Sequence, residues 1–164
     1  MEIGIISDTH ITKDLDKLKV FLNTKFKNID TLIHLGDYKS IKAYNFLKEN
    51  KKLYGVYGNV DDKGIEDSIT KKRIISLNGY RIGLFHGHGD KSTTNKRVLE
   101  EFKNEKVDII TFGHSHKPLL KTKNGILLLN PGSPFNKRRE KWYTYIILKL
   151  EEDYMETKIK FYKN

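Results

Sequence analysis

The sequence predicts an α/β protein with two stacked β-sheets. Three observations carry this expectation. Up to Tyr57 the chain alternates strand-like and helix-like apolar patterns. Beyond it the chain is rich in strands and holds two Asn-Gly turns. Five apolar runs stop at a polar residue of a type that can bind a metal.

Ile3, Ile5 and Ile6 make a short strand-type run at 2–7. Leu15, Leu18, Phe21, Leu22 and Phe26 then recur at helical spacing, with Asp14 placed to cap the first turn. Leu32, Ile33 and Leu35 make a second strand, and a helix over about 40–50 turns Ile41, Tyr44 and Leu47 inward. Leu53–Tyr57 is a third strand. This order predicts parallel βαβ units with right-handed crossovers. Arg73–Leu77 and Arg81–Phe85 then flank Asn78-Gly79, a pair suited to the positive φ of a tight hairpin. A helix over about 93–103 and a strand over 107–112 follow. Asn124-Gly125 joins strands at 118–123 and 126–130, and Tyr143–Leu150 and Met155–Tyr162 close the chain as antiparallel strands. So many strands with few helices call for two sheets. The chain shows no internal repeat or low-complexity linker, so one domain over 1–164 is expected.

Composition narrows the chemistry. The 164 residues include no cysteine, which excludes disulfides, thiol nucleophiles and zinc–thiolate sites, leaving nitrogen and oxygen to hold any metal. No window approaches the ~20 consecutive apolar residues of a membrane span. The opening MEIGIISDTH lacks a basic segment followed by a long apolar one. The expectation is a soluble cytoplasmic protein without membrane contact. The net charge of +10 favours polyanionic partners, and Lys137-Arg138-Arg139 with Lys141 is the densest basic patch. Nucleic acid is therefore one partner to consider, beside plain solubility.

The five strand ends are Asp8-Thr9-His10, Gly36-Asp37, Gly58-Asn59, His86-Gly87-His88 and Gly113-His114-Ser115-His116. In α/β sheets ligands bind beyond the carboxyl ends of the strands, where loops converge. Carboxylate, imidazole and carboxamide form a mixed N/O set that suits Mn, Fe, Zn, Ni or Mg. Each residue alone could equally cap a turn; together they read as a metal site. His34 lies inside the Thr31–Leu35 run and reads as structural, and Asp61 as a turn cap or a group that orients a ligand.

The ordered series Asp8-x-His10, Gly36-Asp37, Gly58-Asn59, His86-Gly87-His88 and Gly113-His114-Ser115-His116, with Asn130-Pro131-Gly132-Ser133, resembles the calcineurin-like metallophosphoesterase superfamily. It is similar to the small single-domain phosphodiesterase branch, to which the retromer subunit Vps29 is also related. The resemblance runs from residue 3 to about 134. It implies a four-layer αββα sandwich, two mixed sheets flanked by helices. It further implies two divalent ions, foremost Mn, with Ni, Zn, Fe or Mg as alternatives. Asp8, His10, Asp37 and His116 would hold the first, and Asp37, Asn59, His86 and His114 the second, with Asp37 bridging. The implied reaction is in-line attack on a phosphodiester by a hydroxide bridging the two ions. Two divalent ions against two carboxylates and one hydroxide leave a net charge of about +1, which suits an anionic substrate.

One position departs from the wider superfamily. Where many members place a histidine after the Asn59 position, as a general acid, this chain has Val60. His88 is the expected substitute acid, and Asn59 and Ser133 the expected contacts to substrate oxygens. Two other readings stay open: a non-catalytic Vps29-like scaffold that binds a partner protein, and a nuclease or RNA-processing enzyme gripping a backbone through Lys137, Arg138 and Arg139. Exposed strands leave a homodimer open as well.

Overall fold

A computed structural model describes residues 1–163. In chain order the elements are β1 (Glu2–Ile6), α1 (Asp16–Lys25), β2 (Thr31–His34), α2 (Ile41–Asn50), β3 (Lys52–Gly55), α3 (Lys63–Glu66), β4 (Lys72–Leu77), β5 (Tyr80–Phe85), α4 (Thr94–Glu101), β6 (Ile109–Thr111), β7 (Leu119–Lys123), β8 (Ile126–Asn130), β9 (Tyr143–Leu150) and β10 (Met155–Tyr162). They form two five-stranded mixed sheets, ordered β10-β9-β1-β2-β3 and β4-β5-β6-β8-β7. Strands β1, β2 and β3 run parallel, as do β5, β6 and β8, while β9, β10, β4 and β7 join antiparallel. No helix among the described residues is long and apolar enough to cross a membrane.

Side-chain alternation explains the layering. Ile3, Ile5, Ile33, Leu35 and Val56 of the first sheet meet Ile75, Ile82, Leu84, Ile109 and Leu129 of the second in a central core. The opposite face of the first sheet, with Ile6 and Leu32, is covered by Leu18, Phe21 and Leu22 of α1 and by Tyr44 and Leu47 of α2. Phe85, Ile110 and Leu128 of the second sheet pack on Val98 of α4. The result is the four-layer αββα sandwich. Both Asn-Gly hairpins form with positive φ at each turn residue: 49° and 85° at Asn78 and Gly79, 52° and 77° at Asn124 and Gly125.

Local details differ from the sequence reading. Leu15, not Asp14, is the capping residue of α1 and gives no side-chain cap; Asp14 instead accepts from the Asp16 N–H at 2.9 Å, within its own turn. The one-turn helix α3 lacks the length to show a periodic apolar pattern. It forms because Asp62 caps it through Ile65 N–H at 3.2 Å, while the other Asp62 oxygen accepts from Ile41 N–H at 2.8 Å.

Each sheet also carries a glycine filled by the phenylalanine that ends a helix. A Cβ at Gly4 would lie 2.8 Å from the Phe26 ring, and one at Gly83 would lie 2.7 Å from Phe102. Phe26 and Phe102 are the C-cap residues of α1 and α4. These two contacts set how closely each helix seats on its sheet. Gly83→Val should therefore overpack the α4 layer and cost about 1–3 kcal/mol. In urea unfolding this appears as a lower midpoint at unchanged slope.

Candidate metal centre

The parallel strands of both sheets deliver their carboxyl ends to one edge of the sandwich. Leaving the strands there requires abrupt turns, and the backbone records it. Asp8, His10, Asp37, His114 and His116 all have positive φ, at 55°, 50°, 58°, 67° and 58°. Left-handed backbone costs an ordinary residue roughly 1–2 kcal/mol, so a run of such residues at one edge is strain held by the surrounding structure.

Backbone hydrogen bonds lace the turns together. Asp8 N–H donates to Gly36 O at 3.0 Å, His10 N–H to Asp37 O at 2.9 Å, and Gly113 N–H to His86 O at 3.0 Å. Asp61 is the strongest single brace. Its carboxylate accepts from the N–H groups of Asp37 at 3.0 Å, Lys39 at 2.7 Å and Gly58 at 2.7 Å. It thus fixes the Asp37 turn to the Asn59 turn, the turn-capping role read from sequence. The two turns lie so close that a Cβ at Gly58 would sit 2.1 Å from Asp37 Oδ1. Only glycine fits there.

The side chains converge in two groups. Asp8, His10 and His116 present ligand atoms close together, and so do Asp8, Asp37 and His86. His10 Nε2 and His116 Nε2 are 3.3 Å apart, with their rings stacked. His116 Nε2 is 3.1 Å from Asp8 Oδ1, and His86 Nε2 is 3.3 Å from Asp37 Oδ1. Asp37 Oδ2 is turned the other way, 3.7 Å from His10 Nε2. Asp37 therefore touches both groups, and Asp8 belongs to both. The expected His114 and Asn59 stand beside the second group: the His114 ring meets His86 edge-on at 5.1 Å, and its Nδ1 bonds Asn59 Oδ1 at 3.0 Å.

The tautomers follow from the backbone. His86 Nδ1 lies 2.6 Å from Leu35 O, and His116 Nδ1 bonds Asn136 O. A carbonyl can only accept, so both Nδ1 atoms carry a proton and both Nε2 atoms face the centre. Asp8 Oδ1 and His86 Nε2 are buried with no hydrogen-bond partner among the described residues. Lone pairs facing lone pairs require a cation between them, which a proton or a metal can supply.

The acidities agree. Burial alone would raise Asp37, but the close approach and charge of His86, with the Val60 N–H, pull its pKa down to about 2. Burial likewise opposes Asp8, which the approach of His116 and the charge of His86 hold below the usual carboxylate range. His86 is pushed up despite its burial, because Asp37 and Asp8 favour the imidazolium. Burial holds His10 and His114 down.

Three expectations need restating. His34 is structural, yet it is the last residue of β2 rather than an interior one. It is fully buried, its Nε2 meets Thr9 Oγ1 at 3.0 Å, and burial takes its pKa to about 3. Ser133, expected beside substrate oxygens, has a buried hydroxyl that donates to Asp8 O at 2.8 Å and accepts from Asn136 N–H at 2.8 Å. It is a brace behind Asp8. His88 is brought down to about 4 by burial and by the charges of His86 and Lys71, so its ring is neutral near pH 7. A neutral imidazole is a poor general acid.

Arg97, which the sequence reading passed over, laces the turn after His86. Its guanidinium donates to Gly87 O at 2.9 Å, Lys91 O at 3.2 Å and Ser92 O at 2.5 Å. One arginine in a helix carries no sequence signal of such a role. Asn136, which orients His116 through a carbonyl, is equally silent, since any residue has one.

A profile described as the calcineurin-like phosphoesterase superfamily domain matches residues 1–153. A probable metallophosphoesterase of Methanocaldococcus jannaschii is 36% identical over 139 residues, 82% of this chain and 68% of that protein. A phosphodiesterase of the same organism is 27% identical over 147 residues, 80% of this chain and 83% of that protein. The crystal structure of Entamoeba histolytica Vps29 complexed with zinc superposes with a TM-score of 0.73 at 22% identity, covering 99% of this chain and 98% of that one. At that identity the likeness is one of fold. An αββα sandwich with this edge defines a metallophosphoesterase architecture, and the chain belongs to the calcineurin-like phosphoesterase superfamily.

Asp61→Ala would leave three backbone donors without their acceptor and should destabilise the protein by about 3 kcal/mol. Amide hydrogen exchange should localise the loosening to the Asp37 and Gly58 turns; protection unchanged at both turns would contradict the bracing role.

Proposed function

We propose that the protein is a metal-dependent phosphodiesterase with a dinuclear centre. Asp8, His10, Asp37 and His116 would hold one divalent ion, and Asp37, Asn59, His86 and His114 the other. Mn is the foremost candidate; Ni, Zn, Fe and Mg suit the same N/O donors. The observation that carries this reading is the meeting of imidazole nitrogens and carboxylate oxygens. Asp8 Oδ1 and His86 Nε2 are buried without partners, and Asp37 turns one oxygen towards each group. The donor set fits a pair of hard to borderline cations and offers no thiolate.

Bound ions of this kind supply Lewis-acid charge at phosphoryl oxygens and bring the pKa of water to about 7. The chain's own residues prepare the ground. Leu35 O and Asn136 O fix two imidazoles so that Nε2 points inward. Asp61 keeps the Asp37 and Asn59 turns in register. Asn59 is exposed at the mouth, with its Oδ1 on His114 and its amide N–H groups available to a phosphoryl oxygen. With Val60 in place of a histidine and His88 neutral, no protonated acid stands by to serve the leaving group. Diesters with an acidic leaving group should therefore turn over fastest.

Two measurements test the reading. Metal-stripped protein titrated with Mn, Ni, Zn and Mg should hydrolyse bis(p-nitrophenyl) phosphate in preference to the monoester. Asp37→Ala and His114→Ala should each lower that activity by roughly 100-fold or more, with the circular dichroism spectrum retained. Absence of turnover with any metal would favour a partner-binding scaffold, the Vps29-like alternative. The second measurement uses the His86 proton. Because His86 has a raised pKa, a metal must displace the proton there, so affinity should fall as pH drops through that raised value. Calorimetry in two buffers of different ionisation enthalpy should show proton release on metal binding that grows as pH falls through that raised value; release that does not change with pH would place the ion elsewhere.

A further inference from the structure

The loop after β8 is fastened to the centre at three points. Ser133 Oγ donates to Asp8 O at 2.8 Å, Asn136 O accepts from His116 Nδ1, and Arg138 Nη1 reaches His114 O at 3.5 Å. Each fastening lands on a residue of the proposed ligand set. The loop then turns tightly, closed by Glu140 N–H on Lys137 O at 2.9 Å, with Arg138 in left-handed backbone at φ 49°.

The four cations of this segment are not equivalent, and Arg139 is exposed with no hydrogen bond to the centre among the described residues. Lys137 folds back on its own turn, donating to Glu140 O at 3.0 Å and lying over the Tyr143 ring. Lys141 lies over Trp142 at 5.5 Å, on ground shared with Lys163. Arg138 alone reaches the edge of the centre. It is exposed, and among the described residues no carboxylate pairs with it. Its one side-chain hydrogen bond among the described residues, at 3.5 Å, is long and leaves most of the guanidinium's five donors free. An uncompensated guanidinium at the lip of a phosphate-handling centre is suited to a second phosphate, which it can take bidentately.

We propose that Arg138 forms a flanking-phosphate subsite, so that the substrates of the centre are phosphodiesters with a second phosphoryl group one nucleotide away, as in short oligonucleotides. This rests on the phosphodiesterase reading and deepens it. The scissile diester sits at the centre, and the neighbouring phosphate is held by the Arg138 fork. The rest of the basic segment contributes long-range attraction only.

The test is equilibrium binding to Mn-loaded protein, read by fluorescence anisotropy. The probes are labelled dinucleotides with a slowly cleaved phosphorothioate linkage, bearing a 5′-phosphate, a 3′-phosphate or neither. One of the two phosphorylated probes should bind about 10-fold tighter than the unphosphorylated one, the scale of one charge-assisted bidentate contact. Arg138→Ala should erase that preference, Arg138→Lys should keep a part of it, and the salt dependence of log Kd should flatten by about 0.7 in slope. Lys137→Ala should leave the preference in place. Equal binding of all three probes by the wild type, or equal loss on all three in Arg138→Ala, would overturn the subsite. The outcome is separable from the parent reading: a phosphate preference with no hydrolysis of bis(p-nitrophenyl) phosphate keeps the subsite and removes the enzyme. Hydrolysis without the preference does the reverse.

Discussion

The structure depends on how histidine and carboxylate lone pairs face one another across the edge of the sandwich. Two backbone carbonyls, Leu35 O and Asn136 O, claim the Nδ1 protons of His86 and His116. The remaining nitrogens then point at Asp37, Asp8 and His10 with no proton to share unless one is taken from solvent. In a buried setting such an arrangement is unfavourable without a cation. The raised His86 pKa and the lowered Asp37 pKa are two sides of this frustration.

The surroundings are organised to hold that edge rather than to relieve it. Asp61 uses a buried carboxylate to tie down three N–H groups, and its own pKa is raised by burial. Ser133 and Arg97 fix the turns behind Asp8 and after His86. Two sheets with their parallel strands side by side give five loops a common edge, and the helices on the outer faces are seated by Phe26 and Phe102 against glycines. The packing that makes the fold stable is remote from the edge. The strained backbone sits at the edge itself.

Much of this was legible in the residues. Periodicity gave the strands and long helices because alternation and 3.6-residue spacing reflect burial directly. The Asn-Gly pairs located both hairpins because few other pairs accept two positive φ values. The ligand types at the strand ends were visible because each ended an apolar run. What was not legible depends on contacts between distant segments. Ser133 was expected at the substrate because a hydroxyl in sequence does not show which atoms it bonds. His88 was read as an acid because the burial that lowers its pKa, helped by the approach of Lys71, is a property of the folded chain. The division of labour within Lys137–Lys141 was equally hidden, since a run of cations looks uniform until Arg138 alone is seen to reach the centre.

The central claim is that the lone-pair cluster is built for two cations that share Asp37. Crystals grown with Mn and measured for anomalous scattering test it most directly. Two peaks are expected about 3.5–4 Å apart. One should lie among Asp8, His10 and His116 and the other beside His86, with an Asp37 oxygen on each. A single peak, or manganese bound away from Asp37, would contradict it.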